Sequence, residues 1–293
     1  MVETRKQMPL AQPADDWMNA AQEVDQDTVE QVGPEYPFIQ WVNGKRALKK
    51  AGGVTYTGGW FMPEGQAINE AMTGWEQGEL IHDNGESTVG WFKRDVTLAT
   101  IRMRRCWMAG DARYPWDQYD NAVAAGTPKG RLQVLVLVKD WQTPVMLTLT
   151  GTISQAFVGS RRMEGVLTRF NRLIVREANG INAKRGVAAK FPYRAFWLSV
   201  GPQRDAAGEP VFTEVGKTQK STVTLPTALG LKDKPEAGDL AARFVGVDLL
   251  RTLNQMYADA EEWAKSWDMA QVQPAEEAPA EEPAIPNGEE LPF

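Results

Sequence analysis

Nine residues, RLQVLVLVK at 131–139, constrain the fold of this 293-residue chain more than any other stretch. The middle of the run is wholly apolar and three of its residues are valine, so it reads as a strand in a buried position, covered on both faces. PVMLTLTG (144–151) follows after a short turn and reads as its hairpin partner.

A buried hairpin needs a sheet around it, and the neighbouring sequence supplies strands. STVGWFKRDVTLATIRMRRCWM (87–108) alternates well enough for two strands or one long bent one. A two-residue period puts Arg102 and Arg104 on one face, opposite a buried face formed by Ile101 and Met103. PFIQWVNG (37–44) and GGVTYTGGWFMP (52–63) also have strand character, whereas 64–86 read as a short helix and a loop. Residues 110–130 form a loop centred on Tyr114, Trp116 and Tyr119, either a flap over a groove or a packed surface loop. The clearest helix is 154–180, with Ser154 as its cap and Asn179-Gly180 as its stop. Strands follow at 191–201, 211–218 and 220–230, then a second helix over Asp239–Met269 that either packs on the sheet or supports a homo-oligomer.

Strands, an inserted helix and further strands are the order of an OB-fold, a five-stranded barrel with a helix between its third and fourth strands. The expectation is a mainly β, α+β protein: an OB-fold-like β-barrel with one inserted helix and an additional C-terminal helix. Its parts would be an acidic arm (1–36), the barrel body (37–236), a helix packed on the body (237–270) and an acidic tail (271–293).

Composition narrows the chemistry. A single cysteine, Cys106, and a single histidine, His82, exclude an internal disulfide, a Cys-rich or His-cluster metal site and most Ser-His or Cys-His catalysis. No cofactor is expected. No run of 18 apolar residues occurs, which points to a protein of the cytoplasm with no membrane partner. The net charge of −6 hides an uneven distribution. Residues 1–36 and 271–293 each carry −6, leaving +6 on 37–270 and +9 on 37–220. A basic centre between acidic ends suits a polyanion binder.

Aromatic residues interleave with the cations of that centre. In single-strand recognition rings stack on bases while Lys and Arg follow the phosphates. On that pattern the DNA contacts are expected at Trp41, Lys45, Lys49, Trp60, Trp91, Lys93, Arg102, Arg104, Trp107 and Arg194; the same aromatics also read as core residues. A metal-dependent nuclease, or an annealing or recombination factor, is the alternative. For such an enzyme Asp111, Asp117 and Asp120 are the only candidate carboxylates, and they lack a metal-site spacing.

The segment QVQPAEEAPAEEPAIPNGEELPF (271–293) has six glutamates, five prolines and no cation, so it is expected to be disordered. Its final residues, Glu289, Glu290, Leu291, Pro292 and Phe293, resemble the C-terminal tip of bacterial and phage single-stranded DNA-binding proteins. The resemblance covers those five residues and the character of the linker. It implies a non-enzymatic protein of the bacterial or phage-infected cytoplasm that coats single-stranded DNA. Through this tip such a protein recruits replication, recombination and repair proteins. The chain departs from that family in its longer body, its acidic arm and its additional helix. A phage structural or assembly protein with a solubilising tail is the third reading.

Overall fold

The computed structural model describes residues 36–268, apart from 43–46, 51–52, 57, 67, 69, 83–84, 160–162 and 216–220; at 47–50, 53–56 and 221 it describes the backbone alone. The expected acidic arm, except Tyr36, and the expected tail lie outside the described residues, as does Lys45. The protein is mixed α+β, dominated by a strongly curled, half-barrel sheet with a few helices.

Three consecutive strands form the centre of the sheet: β7 (Val96–Ala109), β9 (Lys129–Val138) and β10 (Val145–Thr150), all antiparallel neighbours. Every β9 residue from Leu132 to Val138 is buried, as its apolar run requires. Beyond β7 come β11 (Leu198–Pro202) and then β14 (Pro226–Ala228), both antiparallel. Beyond β10 comes β1 (Phe38–Val42), which pairs with it in parallel, and then β4 (Gly59–Pro63) and β6 (Ser87–Lys93). The far edge is β5 (Glu76–Ile81), β2 (Ala47–Lys50) and β3 (Gly53–Tyr56). Short β8 (Ala112–Pro115) folds back on β7, and β12 (Phe212–Val215) pairs with β13 (Ser221–Thr224) as a separate ribbon. Residues 76–81, expected in a helix-and-loop region, are a strand because they complete ladders to both β6 and β2.

The curl brings together strands that are far apart in the sheet order. Trp60 on β4 donates its indole N–H to the carbonyl of Val200 on β11 at 3.1 Å, and Trp41 on β1 donates to the carbonyl of Thr224 at 2.9 Å. Both bonds are buried: the first fastens β4 to β11 across the half-barrel, and the second fastens β1 to the β12–β13 ribbon. Phe157 meets Trp60 edge-on, with Ile39, Val134 and Leu147 in the same core.

Both expected helices are interrupted. The first is α2 (Gly151–Val158), then α3 (Val166–Phe170), a π-helical segment (Asn171–Val175) and α4 (Arg176–Lys184). Gly159, at φ +103°, ends α2, and a Cβ on Gly165 would overlap the backbone of Gly159, so the chain crosses itself there at a glycine pair. Ser154 does not cap: its hydroxyl donates to the carbonyl of Gly151 inside α2. Asn179-Gly180 does not stop the helix, because the Asn179 side chain is held by the N–H and C=O of Phe191. The second helix is α5 (Ala237–Arg243), α6 (Val247–Asp259) and α7 (Glu261–Lys265). It breaks where Phe244 turns extended and bridges to Phe196. The expected aromatic loop contains β8 and a short helix, α1 (Tyr119–Ala125). No helix among the described residues is long and apolar enough to cross a membrane.

Candidate nucleic-acid interface

The long strand β7 carries most of the expected contacts, and its two faces have different fates. A bulge between Thr100 and Arg102 shifts the register against β9. After it Met103, Arg105 and Trp107 alternate with Arg102, Arg104 and Cys106. Met103, expected to be buried with Ile101, is 39% exposed, because the bulge separates the two residues' environments.

The Arg102–Arg104 face lies under α6 and α7. Arg104 donates to the Gln133 side chain, the carbonyl of Trp263 and the hydroxyl of Ser266, with the Trp263 and Trp267 rings 4.3 and 4.4 Å from its guanidinium. Burial depresses its pKa to about 10, with help from the neighbouring Arg113. Arg102 donates to the carbonyl of Tyr257 and lies 3.9 Å from that ring; Arg194 lies 4.0 Å from the same ring and donates to Asn254. Of these three expected DNA contacts, Arg102 and Arg104 hold the C-terminal helices to the sheet and Arg194 holds α6 to the short 3-10 turn Tyr193–Ala195. Arg104 donates through Nε and Nη1, and Arg102 and Arg194 each through Nε.

Two of the expected tryptophans are core. Trp60 has no exposed surface and Trp41 only 8%, so neither offers a ring to a base. Trp91 is half-buried and packs against the main core. Lys93 donates to the carbonyl of Thr73 and lies 5.8 Å from the buried Trp75 ring. Lys49 is on β2, its side chain outside the described residues.

Trp107 joins an aromatic and basic cluster with exposed members. It stacks on Trp116 with centroids 4.2 Å apart and planes 10° from parallel, and its indole donates to the carbonyl of Trp116. Tyr119 meets Trp107 edge-on at 4.9 Å. Trp116 and Tyr119 are 37% and 47% exposed, and the exposed Arg105 lies 4.7 Å over the Trp116 ring. The β8 turn and α1 carry these aromatics back over β7, and Gly130, directly opposite Trp107 on β9, leaves them room. On the other face of the same hairpin end, Met108, Asp111, Lys129, Arg131 and Thr150 line a cavity of about 530 Å³.

Arg105, Trp116, Tyr119, Lys129 and Arg131 are therefore the residues absent from the expected contact set. The signal for Trp116 and Tyr119 was their density in one loop, and that for Arg105 was its two-residue spacing to Trp107. No three His, Cys, Asp or Glu among the described residues come close enough to hold a metal ion. Comparison with protein-family models, with curated proteins and with solved structures finds no match.

Proposed function

We propose that this protein binds single-stranded DNA without acting chemically on it, and that its sheet is an OB-like barrel opened to admit further strands. The observation that carries the reading is the Trp107–Trp116 stack, in which Trp116 is exposed beside Tyr119 with Arg105 over its ring. Trp116 is exposed on the half-buried Trp107, and a base taking the place of Arg105 over the Trp116 ring would gain about 1–3 kcal/mol from stacking while the guanidinium turns to the phosphate. The OB-like reading is supported by the order β10-β9-β7-β11-β14 with helices between β10 and β11. In OB-folds the loop between the first two strands is a binding element. Here that loop, 110–128, carries Trp116 and Tyr119. The acidic segment ending Glu289, Glu290, Leu291, Pro292, Phe293 then serves as the docking peptide for replication, recombination or repair proteins, its acids steering the encounter and Phe293 filling a pocket.

Fluorescence polarisation with labelled oligo-dT and a matching duplex, at about 50 and about 300 mM salt, tests the reading. Preference for the single strand, with a steep loss of affinity at the higher salt, is expected. Failure of the full chain to bind oligo-dT at either salt would falsify it.

A further inference from the structure

We infer that the cavity at the end of the β7–β9 hairpin is a phosphate subsite, which takes a phosphodiester of the strand whose base meets the Trp107–Trp116 stack. The inference rests on the single-strand reading above and assigns it a second set of residues.

Register supplies the geometry. Lys129 lies opposite Met108, Arg131 opposite Cys106, and Thr150 opposite Arg131. Directly opposed residues share a face, so two cations and a hydroxyl project from one side of the hairpin end. Gly130, between the cations, faces the other side. A Cβ there would stand 3.5 Å from Trp107 and 3.7 Å from Trp116, and the same glycine lines the cavity. Only backbone separates rings from cavity at that point, because residue 130 has no side chain.

The charge is unbalanced in the sense an anion needs. Lys129 and Arg131 are exposed and make no ion pair among the described residues; Asp111 is the one carboxylate in the lining. More positive charge stands just behind them. Arg104 stands two residues before Cys106 on the same face of β7, and Arg113 lies opposite Met108 on β8. Like charges gathered this way repel, and a phosphate across Lys129 and Arg131 relieves the repulsion. A lysine point charge, an arginine fork and a hydroxyl donor form a set of phosphate ligands. Rings on one face and cations on the other require a chain that wraps the hairpin end with its base turned away from its backbone. A single strand can do so; in a duplex the base edge is paired and its face stacked.

The test uses the full chain, oligo-dT, and inorganic tripolyphosphate as a base-free probe. A Lys129→Gln, Arg131→Gln double variant keeps both exposed positions polar, and its melting temperature checks that it folds. Each lost phosphate contact should make the slope of log affinity against log salt shallower by about 0.7, and the double variant, which gives up one phosphate held by two side chains, should lose about that much. Trp116→Ala should lower affinity with its slope unchanged. Tripolyphosphate should raise the melting temperature of the wild type and leave the double variant where it was. Oligo-dT binding with the wild-type slope in the double variant would overturn the subsite and leave the single-strand reading intact. A wild-type chain that binds no oligo-dT would sink that reading, and the subsite as assigned here with it.

Discussion

Tryptophan does two jobs in this chain, and the difference lies in what each indole N–H reaches. Trp60 donates to Val200 across the half-barrel from a fully buried site, whereas Trp107 donates to its own neighbour Trp116 at the surface. Trp60→Ala removes a fully buried indole from the core, leaves a cavity and strips a buried carbonyl of its donor, so a loss of about 3–5 kcal/mol in urea unfolding is expected. Trp116→Ala, at a site already 37% exposed, should change unfolding by less than about 1 kcal/mol. Its effect belongs to binding, with oligo-dT affinity falling roughly 5- to 150-fold. If the two variants exchanged phenotypes, the assignment of core and interface would be wrong. Arg104 has a third kind of role. Its guanidinium is held by three acceptors and two rings with no carboxylate among its hydrogen-bond partners, so the planar fork matters more than the charge. Arg104→Lys keeps the charge but cannot reach all three acceptors, and a loss of about 1–3 kcal/mol in the same assay would show it.

At the scale of elements, the sequence was most readable where periodicity was cleanest. The apolar run 131–139 became β9, its partner 144–151 became β10, and the alternating stretch 87–108 became β6 and β7. What it concealed depends on contacts distant in sequence. The Asn179-Gly180 pair has the composition of a helix stop, but Phe191 claims the Asn179 side chain and the helix runs on. The bulge after Thr100 leaves no composition signal, although it decides which arginines of β7 reach solvent. A helix packed on the body was expected at 237–270, but its place over Arg102 and Arg104 was not legible, since alternation says which side a residue faces and nothing of what lies there. The crossing of Gly159 and Gly165 yields a direct test: Gly165→Ala puts a methyl into backbone that has no flexible neighbour to move, with an expected cost of about 1–3 kcal/mol or more. Acid should loosen a second local device. Burial alone would raise the Glu70 carboxyl, but the amides of Gln142 and Thr143 donate to it and hold it below its ordinary 4.5. A depressed carboxylate stabilises the fold above its unfolded pKa, and that contribution fades as pH falls through the folded value. The melting-temperature advantage of wild type over Glu70→Gln should therefore be present at neutral pH and fade as the pH falls below the ordinary carboxylate range and through the depressed folded value.

For the whole molecule, the open question of design is whether α6 and α7 are a removable cover or part of the body. They occupy the face of β7 where Arg102 and Arg104 stand, so their removal would expose cations suited to a polyanion. Against that stands what they bury. Leu253 and Ala260 have no exposed surface, Trp263 and Trp267 are 3% and 6% exposed, and Tyr36 meets Trp263 edge-on. Burying Leu253 and the two tryptophans contributes about 1.5–3 kcal/mol for each side chain, or roughly 6 kcal/mol together, within a total stability of about 5–15 kcal/mol. The helices therefore belong to the body. A chain ending at residue 270 should melt within a few degrees of the full protein and bind oligo-dT at least as tightly, since only the segment carrying −6 is gone. A chain ending at 245 should lose cooperative unfolding, because the sheet face left behind has apolar surface and unpaired guanidiniums together. Thermal denaturation followed by tryptophan fluorescence separates the cases. If the 245 chain melted cooperatively and bound oligo-dT more tightly than the 270 chain, the burial argument would fail. The Arg102–Arg104 face would then return as a DNA surface that the C-terminal helices screen.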